Sequence, residues 1–290
     1  MPESLVNTKR RIATIRSTQK ITKAMKLVAS VKYQRWKKMY DENTTYFTAM
    51  TNNLTRAFSC IDLDCEKLPS VLTPNAGNKT LYVIVSSTLG LCGAYNYNLF
   101  KSIDSVIKEN DELLLIGQKA SVHYSNYKNK KNTDYLELLD KFSYSTVKKL
   151  RHYLIREYEK KTYSKIILVY TEYKNSLTFT PTLKTILPLD TENIEIDKKE
   201  SLNPPIFEPN ENEVFEQVIP HYLDASIYRN LLESEISELA SRRNAMETAT
   251  DAAEKIQAQL QLQYNKARQS AITQEITEVV AGANSGKEEN

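Results

Sequence analysis

Apolar residues recur every seven positions along the last quarter of the chain. The repeat comprises Leu232, Leu239, Met246, Ala253, Leu260 and Ala267. The adjoining three- and four-residue spacings are filled by Ile236, Ala249, Ile256, Tyr264 and Ala271. A heptad of this kind predicts an amphipathic helix with a narrow seam, as in a coiled coil. A helix of this length needs a partner helix to cover the seam.

The first segment carries a looser stripe with the same helical spacing. Its members are Leu5, Ile12, Ile15, Thr22, Met25, Ala29, Tyr33, Trp36, Tyr40, Phe47, Met50, Leu54 and Phe58. Neither Gly nor Pro occurs between Pro2 and Pro69, or between Pro220 and Gly282. Because nothing interrupts either helix, the two ends of the chain are predicted to pair with each other, antiparallel.

The middle of the chain has a different pattern. Short apolar runs at 81–87, 112–117 and 165–171 are typical of strands inside a parallel sheet, and helix-like stretches at 96–108 and 145–161 separate them. A run at 177–189 contains two prolines, which suits an edge strand. The prediction is an α/β domain between two long helices, divided as 1–68, 69–208 and 209–283, with a polar, disordered tail at 284–290.

Charge and composition exclude several classes of protein. A formal net charge of +3 is too small to indicate nucleic acid, and no run of eighteen apolar residues is present. The stretch from Lys9 to Lys38 is nevertheless strongly basic, with eleven Lys and Arg and no acid. Such a helix suits a nucleic-acid arm, a membrane surface or an acidic protein partner. Sparse aromatic residues and a narrow apolar stripe favour the protein partner.

Residues suited to catalysis are scattered. Residues 87–96, STLGLCGAYN, follow the first strand, but the GxxxxGK[ST] pattern of a phosphate loop is missing. His123, His152 and His221 lie far apart, and Cys60, Cys65 and Cys92 lack metal-ligand spacing. We therefore expect no cofactor or metal and no enzyme activity. A nucleotide-using α/β enzyme and a coiled-coil scaffold remain as alternatives.

Four stretches together resemble one family along essentially the whole chain. They are RRIATIRSTQKITKAMKLVASVK, SSTLGLCGAYNYNLFK, VYTEYKNSLTFTPTLKTILPL and ASRRNAMETATDAAEKIQAQLQLQYNKARQSAITQEITEVVAGA. The sequence is similar to the γ subunit of F-type ATP synthases, the central rotor shaft. The resemblance implies an antiparallel coiled coil of the two termini with a Rossmann-like α/β domain at its base, coupling rotation to ATP synthesis or hydrolysis in the β subunits.

The resemblance also implies which residues meet the partners. Lys23, Met25 and Lys26 would face acidic segments of the β subunits, and Arg268 and Gln269 would meet loops of the catalytic ring. An apolar sleeve of the α and β subunits would hold the end of the last helix. The bearing surface would comprise Ala271, Ile272, Ile276, Val279, Val280 and Ala281.

One loop departs from the family pattern. The family usually has SDRGLCGG, whereas this chain has Ser87, Thr88 and Leu89 before the shared glycine and Ala94 in place of the last one. The resemblance implies an ε-type companion subunit and a proteolipid ring as partners at the base. Because this loop departs from the pattern, a rotor of a related ATPase motor without proton transport is an alternative. A start without a transit peptide favours a bacterial protein on the cytoplasmic face of the cell membrane.

Overall fold

Two long helices and a five-stranded sheet make up the fold. The computed structural model describes residues 5–58, 70–189, 207–208 and 210–288. The elements are α1 (Leu5–Phe58), β1 (Lys79–Val85), α2 (Tyr95–Asp104), β2 (Glu112–Ile116), α3 (Gln118–His123), β3 (Lys131–Asn132), α4 (Tyr144–Glu159), β4 (Tyr163–Tyr173), β5 (Phe179–Leu187) and α5 (Glu211–Glu288). They form two compact units, Met1–Ala29 with Arg243–Asn290, and Ser30–Arg242.

In the first unit α1 and α5 pair antiparallel, which confirms the predicted coiled coil. The hydroxyls of Thr22 and Thr250 lie 2.8 Å apart, and Lys26 Nζ lies 2.6 Å from Glu247 Oε1. Moving forward along α1 thus moves backward along α5. The predicted heptad residues Met246, Ala253 and Leu260 are buried, at 5–6% exposure.

The predicted stripe of α1 faces inward along its whole length, because every member of it is buried or half-buried. One position on α5 was assigned wrongly. Ile256 is 41% exposed, while Gln257 occupies the half-buried place next to it. Since successive helical residues lie about 100° apart, the row through Ala253 and Leu260 passes over Gln257 and leaves Ile256 outside.

The second unit contains an α/β sheet in the order β3-β2-β1-β4-β5. Strands β1 to β4 are parallel, and β5 is an antiparallel edge strand beside β4. The four strands and the two helices predicted between them are present. Two short elements, α3 and β3, were not predicted, because six and two residues are too few to establish a period.

The sheet is covered on both faces. One core joins Val83, Leu114 and Leu168 to α1, α4 and α5, and the other joins Ile84 and Leu115 to α2 and α3. Strands buried on both faces explain the continuous apolar runs in the sequence.

A buried ion pair fixes α4 to α5. Arg151 Nε donates to Asp224 Oδ1 at 2.9 Å, and its second nitrogen donates to Oδ2 at 3.1 Å. The Tyr144 hydroxyl also donates to Asp224 Oδ2, at 3.3 Å. Because Asp224 is fully buried, its charge needs these partners, and losing one of them would be costly.

Both ends of α5 differ from simple expectation. Pro220 lies inside the helix, although proline has no backbone N–H to donate to the preceding turn. Phe215 and Ile219 pack this first part of α5 into the core against the sheet. Residues 284–288, predicted as part of a disordered tail, continue α5. The division of the sequence at 68/69 and 208/209 stays a prediction, since residues 59–69 and 209 lie outside the described part of the chain.

The seam of the first unit can be tested with two leucines on the same helix. Leu260 is 5% exposed and Leu262 is 71% exposed. Replacing Leu260 with Ala should lower the free energy of unfolding by about 2 kcal/mol or more, because it leaves a cavity between the helices. Leu262→Ala should change it by less than about 0.5 kcal/mol. Urea denaturation followed by helical circular dichroism measures both, and equal losses would contradict this seam.

Candidate functional site

The end of α5 presents apolar side chains to solvent. Ile272, Ile276, Val279 and Val280 are 43%, 59%, 72% and 53% exposed. The pairing register of α1 and α5 brings Leu5, the first described residue of α1, opposite residues 267–268. Beyond that point, no described residue of α1 is in register with α5, so nothing described covers this apolar run.

The structure separates the predicted site residues into two groups. Arg268 and Gln269 are exposed on α5. On α1, Lys23 is exposed, while Met25 is half-buried. Lys26 is engaged within the chain, and its hydrogen bond and charge hold the pKa of the exposed Glu247 carboxyl below its usual value. Their predicted contacts with partner subunits stay a prediction.

A basic groove between α1 and α5 was not predicted from the sequence. It encloses about 430 Å³. Its lining residues are Lys9, Ile12, Ala13, Arg16, Ser17, Lys20, Gln261 and Tyr264. The sequence did contain a signal, because Ala13 and Ser17 are small residues one turn apart among cations. Three cations around one groove favour an anionic group.

The carboxyl edge of the sheet is where an open α/β fold binds its ligand, at the point where strand order reverses. Here that point lies between β1 and β4, and α5 occupies it. Ser241 Oγ donates to Cys92 O at 2.6 Å after β1, and Ser237 Oγ donates to Thr171 O at 3.3 Å on β4. The Tyr95 hydroxyl lies 2.7 Å from Ser234 Oγ.

The glycine-containing loop after β1 is held by the same helix. Arg242 donates to Gly90 O at 2.6 Å and to Leu89 O at 3.1 Å, and its Nε donates to Glu238 Oε1 at 2.7 Å. Leu91 and Gly93 have φ of 64° and 59°, in the left-handed region that a tight turn needs. The loop therefore connects β1 to α2, and its backbone carbonyls accept hydrogen bonds from α5.

Two of the remaining candidate residues, His123 and Cys92, have structural partners. His123 contacts Asp104 at 3.0 Å and stacks on Phe100 at 4.1 Å between ring centroids. Cys92 is buried, and burial raises the pKa of its thiol. Cys60 and Cys65 lie outside the described residues. Within the described part of the chain, no group of three or more His, Cys, Asp or Glu could hold a metal ion.

Two acidic residues on α5 lie close together in the second unit. Glu235 and Glu238 are one turn apart, with Lys32 and Arg242 nearby. Burial, and then the charge of Glu238, raise the pKa of Glu235 to about 8. Burial also raises the pKa of Glu238, although Arg242 opposes this effect. The Glu235 carboxyl is therefore protonated more readily than an exposed glutamate.

Fold and site together define a class of protein. A two-helix antiparallel coiled coil is joined in sequence to an α/β domain whose binding edge is filled by a helix of the same chain. No described helix combines the length and hydropathy required to cross a membrane. The arrangement is typical of a structural shaft.

Comparisons with known proteins agree with this class. The family model described as ATP synthase matches residues 4–285. The ATP synthase gamma chain of Mycoplasmopsis pulmonis is 38% identical, over 97% of this chain and 99% of its own length. That of Mycoplasma mobile is also 38% identical, over 94% of this chain and 96% of its own length. The chain belongs to the ATP synthase gamma chain family, whose members are non-catalytic subunits of the complex.

Solved structures show the same fold at low identity. A chain of the Euglena gracilis mitochondrial ATP synthase, in a structure of OSCP, F1 and c-ring, gives a TM-score of 0.64 at 16% identity, covering 97% of this chain and 94% of that one. A chain from the central stalk and c-ring structure of the Tetrahymena thermophila enzyme gives 0.57 at 23%, covering 79% and 99%. The predicted fold class is thus confirmed.

The raised pKa of Glu235 makes stability depend on pH. A carboxyl whose pKa is higher in the folded chain contributes its full stability below about pH 4.5, and that contribution is lost as the pH rises toward about 8. Glu235→Gln cannot ionise, so its stability relative to the natural chain should increase between pH 5 and 8, by on the order of 1–3 kcal/mol. Urea denaturation across this range measures the effect. Glu254→Gln on the exposed face of α5 is the control, and parallel pH curves for all three chains would contradict the assignment.

Proposed function

We propose that this chain is the rotating shaft of an F-type complex, and that the end of α5 turns inside a ring of α and β subunits. The observation that carries the proposal is the uncovered apolar run from Ile272 to Val280. An exposed apolar surface of this kind on a helix indicates a partner that removes it from water. Family membership identifies the catalytic ring as the partner to test.

The basic surface of α1 supports an acidic partner. Lys23 is exposed, and Lys9, Arg16 and Lys20 line the groove between the helices. We infer that acidic segments of the β subunits approach this surface, with Met25 beside them and with Arg268 and Gln269 meeting loops of the ring. Lys26 already pairs with Glu247, so its contact with a partner requires exchange or sharing of that carboxylate.

The proposed mechanism is mechanical. α1 and α5 present different side chains around the shaft, so each orientation offers a different surface to each catalytic subunit. The shaft can change the state of a catalytic site only by contacting its states with different free energies. Rotation would therefore take the three sites in turn through binding, synthesis or hydrolysis, and release. The basic contacts should weaken as the salt concentration rises.

Further partners complete the proposal. The α/β domain would contact an ε-type companion subunit and a proteolipid ring, and the chain would lie at the cytoplasmic face of a bacterial cell membrane as a peripheral subunit. The loop Ser87–Ala94, which departs from the family pattern, belongs to this domain. If the membrane ring is missing from the complex, the chain serves a motor that hydrolyses ATP for other work.

The first experiment captures the native complex and counts its subunits. An affinity tag is inserted at Asn110, in an exposed turn of the α/β domain, and the purified complex is analysed by native mass spectrometry. We expect three α-type and three β-type subunits for each copy of the chain, together with a proteolipid ring. Recovery of the chain without catalytic subunits would overturn the rotor proposal in favour of a scaffold.

Two substitutions on adjacent residues test the bearing surface. Ile276→Asp should reduce the recovered complex by about tenfold or more, because it moves a charge into an apolar sleeve. Glu275→Ala removes a charge from the neighbouring position and should leave recovery within about twofold of the natural chain. Equal recovery of both variants would mean that Ile276 remains in water and that the sleeve does not form there.

A further inference from the structure

Arg229 on α5 holds two residues of α1 by hydrogen bonds. One terminal nitrogen donates to the Tyr40 hydroxyl at 2.6 Å, and the other donates to Thr44 Oγ1 at 3.2 Å. Its Nε donates to Glu233 Oε1 on α5 itself, at 3.2 Å. The Tyr40 hydroxyl in turn donates to Glu233 Oε1 at 3.1 Å. We call Arg229, Glu233, Tyr40 and Thr44 the Arg229 hub.

The hub is largely shielded from water. The side chains of Arg229 and Glu233 are 20% and 7% exposed. The guanidinium carbon lies 4.8 Å from the ring centroid of Tyr40 and 5.1 Å from that of Phe47. Burial, followed by the charge of Glu233, raises the pKa of Tyr40 to about 12, so its hydroxyl stays protonated and able to donate at neutral pH. Salt screens such contacts much less than exposed ones.

The geometry of these bonds differs from that of the apolar contacts between the helices. Apolar contacts, such as the stacking of Phe47 on Tyr222 at 5.9 Å, are not directional and tolerate small rotations. A planar guanidinium with donors in a fixed fork is directional. Because one donor goes to its own helix and two go to residues one turn apart on α1, the hub fixes α1 in both rotation and translation.

We propose that the Arg229 hub is a torsional lock that makes α1 and α5 resist twist as one unit. Arg229 is a positioning residue, since it acts through the two helices and touches no reacting group. The lock itself rests on the hydrogen bonds of Arg229, whereas its use in transmitting torque rests on the proposed rotor function. The chain would lose stiffness if the α1 side of the hub were removed, even with α5 unchanged.

The test variant carries Tyr40→Phe and Thr44→Val. It removes the α1 hydroxyls but keeps the ring beneath Arg229 and the ion pair between Arg229 and Glu233. The matched control is Tyr144→Phe, which removes a partly exposed hydroxyl that donates to Asp224 between α4 and α5 and takes no part in the Arg229 hub. Both variants lose a phenol hydroxyl from the same unit, so a general loss of stability affects both.

The isolated chain tests the lock through its single tryptophan. Trp36 lies on α1 and packs on Phe142, with ring centroids 4.9 Å apart. When α1 moves relative to its neighbours, acrylamide should reach Trp36 more often, and the quenching constant of the Tyr40→Phe/Thr44→Val variant should rise about twofold. Tyr144→Phe should leave it unchanged. Unchanged quenching in the double variant, or an equal rise in both, overturns the lock.

The assembled complex tests the torsional role. A gold rod is attached at Asn110, and its angular fluctuations are recorded while the motor pauses. In the double variant the angular variance should increase at least about twofold, as expected for the loss of one coupling contact. A complex of the natural chain that does not rotate would overturn the rotor function, while the Trp36 result would still decide the lock.

An engineered disulfide distinguishes coupling of the two helices from a general loss of stability. The hydroxyls of Thr22 and Thr250 lie 2.8 Å apart, so cysteines at these positions would face each other, and a disulfide between them would join α1 to α5. In the double variant, with its native cysteines replaced by serine, oxidation should restore the angular variance to that of the natural chain, and reduction should raise it again. If the variance stays high in both states, the hub does not act by holding the two helices together.

Discussion

The structure depends on one constraint: α5 is a helix of 78 residues, and such a helix is stable only where partners cover its buried face. In the first unit the partner is α1, through a narrow seam of small and apolar residues. In the second unit α1, α4 and the sheet share this work, and the buried pair of Asp224 and Arg151 adds a directional contact. α5 therefore has different packing partners in the two units.

α5 also buries a row of polar residues at one place and exposes apolar residues at another. Its middle buries a polar row, Ser226, Asn230, Ser234, Ser237 and Ser241, at 6% exposure or less. Its last turns instead expose isoleucine and valine. The serine hydroxyls are tolerated inside because the backbone carbonyls of Cys92 and Thr171 accept from two of them, and the Tyr95 hydroxyl shares a hydrogen bond with a third. Among the described residues, nothing covers the exposed end in this way.

Periodic features could be predicted from the sequence, and single contacts could not. The heptad, the absence of Gly and Pro and the apolar runs each repeat over many residues, so they identified the helices and the main strands. Ile256 was misplaced because a seven-residue spacing does not decide between adjacent positions on a helix. Arg229 looks like part of a solvated face, and nothing local points to Tyr40, which lies 189 positions away. The candidate contact residues came from family resemblance and not from any physical pattern.

The filling of the sheet's carboxyl edge by α5 can be described as permanent occupancy by a tethered ligand. A free ligand competes for such a crevice according to its concentration, whereas a segment of the same chain has an effective concentration that dilution cannot lower. A nucleotide would have to displace Ser237, Ser241 and Arg242 together before reaching the loop after β1. The α/β domain thus has the architecture of a binding fold, but the groups at its carboxyl edge bind α5.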